Sequence, residues 1–119
     1  GVSDPIPVEK ALSDGCDHVV LVLTKPIDFV KKPEMFKTAY TKVLKNYPAV
    51  VKKLNIRHNT YNNGIKKALE LSQKGLVSII APDDGYFVTA FTRNVRELNH
   101  LYNEGYMKAG EILGKDGYL

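Results

Sequence analysis

The chain has 119 residues, a formal charge of +4, 44% hydrophobic and 25% charged residues, and one cysteine. That length holds one hydrophobic core at most, and no apolar run reaches the ~18 residues that span a bilayer. No secretory cleavage pattern opens the chain, and Cys16 has no cysteine partner for a disulfide or a metal site, which fits a reducing, cytoplasmic setting.

The opening "GVSDPIPVEKALSDG" predicts a short helix over about 7–13. Pro7 suits a first helical turn, where an N–H has no partner to lose. Glu9 favours the same end through the helix dipole, and Asp14-Gly15 supplies the stop. "HVVLVLT" over 18–24 is continuous, β-branched and without polar alternation, the pattern of a strand buried on both faces of a parallel sheet.

From Lys31 to Lys67 the chain carries ten basic residues and one acid, Glu34. Most of the basicity is therefore one block, which includes Lys31, Lys32, Lys37, Lys42, Lys45, Lys52 and Lys53. A solvated lysine face is the plain reading, and a surface for anionic headgroups is the functional one. Only Arg57 among the ten is arginine, so the block does not suit bidentate base readout, and no nucleic acid is expected as partner.

Within the block, Met35, Phe36, Ala39, Tyr40, Val43, Leu44 and Tyr47 recur at helical spacing and predict an amphipathic helix over about 34–47. Pro48 ends it and starts a second helix over about 49–74, with Val50, Leu54, Tyr61, Ile65, Leu69 and Ser72 in a row. "HNTYNNG" is a weak helix former, so a kink near Gly64 is expected. "LVSIIAP" predicts a second strand over about 76–81, and Asp83-Asp84-Gly85 reads as a turn. The last helix, about 94–113, opens on Asn94 with Glu97 three residues on, a capping-box spacing. Its predicted buried stripe is Val95, Leu98, Leu101, Tyr102, Tyr106, Ala109, Ile112 and Leu113.

Strand, helices, strand, helix is an α/β order. Two strands leave two edges open and make a small sheet, so the expected architecture is a fragment of a larger parallel α/β sheet. The exposed edge also makes self-association an expectation.

The search for chemistry finds no complete catalytic set. Ser3, Ser13, Ser72 and Ser78 all lack the Gly-x-Ser-x-Gly setting of a nucleophile elbow. No glycine-rich phosphate loop is present. His18, His58 and His100 show no ligand spacing, so neither metal nor cofactor is expected. Cys16 has only His18 nearby in sequence to activate it, and residues so spaced ahead of a strand rarely converge.

"GVSDPIPVEKALSDGCDHVVLVLTKP" resembles the segment after the catalytic aspartate of bacterial patatin-like phospholipases. There an Asp-Gly-Gly motif precedes a Pro-Ile-Pro-like turn, a helix and a buried strand. Gly1 matches the last glycine of that motif, "SDPIPVEKAL" the turn and helix, and "DHVVLVLT" the strand. "LVSIIAPDDGYFVTAFTRNVRELNHLYNEGYMKAGEIL" is similar to the end of those proteins, with Leu101, Tyr102, Gly105 and Tyr106 in its helical core. The basic middle carries the resemblance weakly.

The resemblance implies the C-terminal part of a hydrolase-type α/β domain: 1–30 the end of the catalytic core, 31–75 a basic helical segment, 76–119 the last strand and helix. It implies a lipid or ester substrate and a Ser–Asp dyad without histidine. Serine, oxyanion glycines and aspartate would all lie before Gly1, so no catalytic residue falls in this chain, and the chain alone is expected to be inactive. The alternative from a different class is a non-enzymatic basic module that binds anionic lipid or a protein partner, peripheral to a membrane.

Overall fold

In the computed structural model, residues 1, 3–83, 88–89 and 91–118 are described. Pro7 caps α1, Val8–Ser13, and Val8 turns into the core almost completely buried. Gly15, with φ +101°, ends the helix: its N–H reaches the Leu12 carbonyl at 3.1 Å and the Cys16 N–H reaches Ala11 at 3.2 Å. That paired closure needs a left-handed residue, which glycine supplies without steric cost. The same device ends the long helix at Gly75 and the last one at Gly117.

The strands are β1, Val19–Val22, and β2, Val77–Ile80. They pair in parallel, Val19 opposite Val77 through Val22 opposite Ile80. Between them lie α2, Lys37–Val43, and α3, Pro48–Gln73, and after them α4, Val95–Lys115. The chain is therefore a mixed α/β protein, with two parallel strands among the described residues. Pro48 starts α3, as its fixed φ favours.

Side chains alternate across a strand, so the two sheet faces differ. Val19, Leu21, Leu23, Val77, Ile79 and Ala81 meet Ile6, Val8, Ile65, Ala68 and Leu71 of the α1–α3 layer. The other face bears Ser78 and Ile80 on β2, both buried, where α4 lies against that strand. Their partners Val20 and Val22 on β1 are 41% and 67% exposed. The burial on both faces expected of residues 18–24 therefore fails for β1, because α4 lies against β2 and leaves Val20 and Val22 exposed; it is β2 that is covered on both sides.

Three further expectations need correction. The helix expected over 34–47 is helical only from Lys37 to Val43, and Met35, Phe36, Val43 and Tyr47 are exposed rather than packed. α3 runs unbroken through Gly64, because that glycine admits Ile6 to the helix surface: an added Cβ would stand 2.7 Å from the Ile6 Cβ. α4 has no buried residue. Val95, Leu98, Tyr102 and Tyr106 lie exposed, while Leu101, Ala109, Ile112 and Leu113 are half-buried. In the expected turn at 83–85, Asp84 and Gly85 lie outside the described residues.

Asn94 caps α4 by accepting from the Arg96 N–H at 3.1 Å, and its amide donates to Glu97 Oε1 at 3.1 Å. Lys108 ties this helix to the end of β2 by donating to the Ala81 carbonyl at 2.9 Å. It also pairs with Asp83 and, at 3.4 Å, with Glu104.

Candidate functional site

A cleft of about 360 Å³ opens where β1 ends, lined by Gly1, Pro5, Ile6, Val22, Leu23, Thr24, Lys25, Phe29, Lys31, Arg57 and Tyr61. Carboxyl ends of parallel strands are the usual ligand-bearing side of an α/β sheet. The lining is mostly apolar and includes three cations, Lys25, Lys31 and Arg57.

The cleft wall is held from α3. Asn62 accepts from the Lys31 N–H at 2.8 Å and donates to the Lys31 carbonyl at 3.0 Å. The preceding residue, Tyr61, meets Phe29 edge-on, with ring centres 6.0 Å apart. Glu34 stands between two cations, 3.3 Å from Lys31 Nζ and 3.6 Å from an Arg57 nitrogen. Arg57 Nε is buried with no hydrogen-bond partner. Lys25 donates to the Val88 carbonyl at 3.0 Å. Burial pushes the Tyr61 phenol above its ordinary value, so it stays neutral and is no base at neutral pH. The cleft can therefore receive an apolar group with an anionic end, but among the described residues it holds no serine, cysteine or histidine.

A second polar cluster lies at the opposite end of the strands. His18, just before β1, has Nε2 2.8 Å from Ser78 Oγ and Nδ1 3.1 Å from the Gly75 carbonyl. Ser78 donates to Asp116, just after α4, and the His18 ring meets Tyr118 with centres 5.3 Å apart. Serine, histidine and aspartate are thus brought together, but not as a nucleophilic relay. The serine proton goes to the carboxylate, the histidine is oriented by a backbone carbonyl, and Ser78 sits mid-strand opposite Val20. Ser78 lies within a strand between Val77 and Ile79, not on the sharp strand-to-helix turn that exposes a nucleophilic serine beside oxyanion amides. The cluster is a clasp that joins the approach to β1, strand β2 and the end of α4.

The sequence reading missed this clasp, although one signal pointed to it. Ser78 is the polar residue inside an apolar strand, and a buried hydroxyl needs a partner. Of the other residues singled out, Gly1 lines the first cleft, and Cys16 is exposed with His18 turned to Ser78 instead. Lys31 lines the cleft, while Lys32, Lys37, Lys42, Lys45, Lys52 and Lys53 are exposed away from it.

The fold and cleft define a small parallel α/β unit with a basic-rimmed pocket at its strand ends. Residues 47–115, more than half of the chain and spanning α3, β2 and α4, match the family described as Domain of unknown function (DUF6363), and the chain belongs to that family. No curated protein and no solved structure matches it.

Proposed function

We propose that the chain forms the C-terminal region of a patatin-like serine acyl hydrolase, a lipid esterase with a Ser–Asp dyad. In this reading nucleophile, oxyanion loop and catalytic aspartate all stand outside these 119 residues, and the chain supplies a wall of the substrate cleft. The carrying observation is the position of Gly1. It lines the cleft at the carboxyl end of β1, the side where an α/β sheet presents its chemistry. The uncovered Val20–Val22 face and unpaired edge of β1 supply room for further sheet beside it. The apolar lining suits an acyl chain, and Lys25, Lys31 and Arg57, with Glu34 offsetting one of the three, leave a net positive charge for an anionic part.

The gene upstream of Gly1 tests the reading. It should encode Asp-Gly directly before Gly1 and Gly-x-Ser-x-Gly further upstream. The longer protein should hydrolyse p-nitrophenyl esters and lose that activity when the motif serine becomes alanine, while this chain alone should show no turnover. Absence of the motifs, or turnover by the chain alone, overturns it.

A second reading, a cytoplasmic module that binds an anionic membrane surface peripherally, is favoured by the lysines of residues 31–67. Among the described residues, no helix is long and apolar enough to cross a membrane.

A further inference from the structure

We infer that the segment from Lys32 to Tyr47 is a docking element for an anionic bilayer surface, with Met35, Phe36 and Val43 entering the interface and lysines meeting the headgroups. The inference deepens the membrane-surface reading above and is independent of the hydrolytic one.

The side chains of this segment divide in two. Tyr40 and Leu44 are half-buried, and the Tyr40 hydroxyl donates to Asn55 Oδ1 of α3 at 2.8 Å. That bond fixes α2 on the long helix. The remaining apolar side chains are left outside: Met35 is 87% exposed, Phe36 72%, Val43 80% and Tyr47 62%. Phe36 and Val43, seven residues apart, share one side of the helix.

Lysines are interleaved with them. Lys32, Lys37, Lys42 and Lys45 are exposed, and Lys52 and Lys53 continue the cover onto α3. Among the described residues, none of these six lies within ion-pair distance of a carboxylate, whereas Lys31, Lys67 and Lys108 all do. Their charge is therefore available to a partner.

The occupant follows from charge and polarity together. A second copy of this chain would set the same ten-to-one excess of basic residues against itself, and like charges oppose that pairing. A nucleic acid would take the lysines but offers the exposed Met35, Phe36 and Val43 no apolar phase. An anionic bilayer takes both, phosphates at the lysine heads and the acyl boundary at the apolar side chains.

The test is vesicle flotation with the whole chain. Phosphatidylcholine vesicles and phosphatidylcholine vesicles containing phosphatidylglycerol are compared at low and high salt. The chain should float with the anionic vesicles at low salt, be released at high salt, and bind neutral vesicles weakly. Lys42→Gln with Lys45→Gln should lower the partition coefficient about fivefold per lysine. Met35→Ser with Phe36→Ser should lower it about tenfold or more. These side chains are exposed, so the far-ultraviolet circular dichroism should stay unchanged. No flotation, or equal binding to both vesicle types at low salt, overturns the inference. So does a partition that falls with the lysine variants but not with Met35→Ser/Phe36→Ser, which is adsorption by charge alone. A salt-insensitive dimer abolished by Met35→Ser/Phe36→Ser assigns the face to a second copy instead. Failure here leaves the ester-hydrolysis assay, and the reading it tests, untouched.

Discussion

The side-chain amide of Asn62 satisfies both backbone polar groups of Lys31, thirty-one residues away, accepting at 2.8 Å and donating at 3.0 Å. An amide so used fixes the loop as an adjacent strand would, and it sets where the Lys31 side chain enters the cleft. Asn62→Ala removes both bonds from a half-buried site and should cost about 1–3 kcal/mol in urea unfolding. Asn62→Asp keeps the acceptor but sets a carboxylate oxygen against the Lys31 carbonyl, so it should not recover the stability of the parent chain. Equal stability of Asn62→Ala and the parent chain would show that the clamp carries no energy.

The Ser78 clasp makes a separate prediction. Ser78→Ala leaves His18 Nε2 without its partner and should destabilise by about 1 kcal/mol. His18→Ala breaks the same contact, so the double variant should be less destabilised than the sum of the two, with a coupling of about 0.5–3 kcal/mol. Additive effects would mean that the two side chains do not act as one unit. A nucleophilic role for Ser78 is tested alongside, by asking whether the chain is labelled by a serine-reactive phosphonate; no labelling is expected.

Gly64 looks like a flaw in α3 and is the condition for its packing. Alanine is the better helix former by about 1 kcal/mol, which alone would stabilise α3. The added Cβ would meet the Ile6 Cβ at 2.7 Å and both its γ carbons at 3.3 Å. Overpacking of that kind costs about 1–3 kcal/mol. Gly64→Ala should therefore destabilise, with a lowered melting temperature. Ile6→Ala should not restore it fully, since the nearest clashing atom is the Cβ that alanine retains.

The local elements were legible because their causes are local. Gly15 and Gly75 stop helices, Pro48 starts one, and the apolar runs around Val19 and Val77 form the strands. Periodicity also placed Val95, Leu98, Tyr102 and Tyr106 on one face, but it does not say whether anything covers that face, and here nothing in the described residues does. The helical spacing through Met35 and Phe36 misled in the same way, because only Tyr40 and Leu44 of that stripe are even half-buried, Tyr40 through its bond to Asn55. The His18–Ser78–Asp116 clasp joins residues 60 and 38 positions apart. No spacing rule reaches that far, and only the unpartnered hydroxyl in "LVSIIAP" hinted at it.

Alkaline pH should weaken the fold through two groups. Desolvation lowers the Lys108 value, but hydrogen bonds and attraction from Asp83 and Glu104 outweigh it and hold the group above its ordinary 10.5. Desolvation by burial raises Tyr61 above its ordinary 10.0. Both groups bind their proton more tightly in the folded state than in the unfolded one. Their contribution is thus complete below the unfolded values and is lost as pH rises through the folded ones. Urea midpoints should therefore show no decline from these groups below pH 10.0 and a fall above it. Tyr61→Phe combined with Lys108→Gln should flatten that fall, at a lower starting stability because the Ala81 and Glu104 contacts are lost or weakened. A midpoint that declines just as steeply in the double variant would place the alkaline sensitivity in other groups.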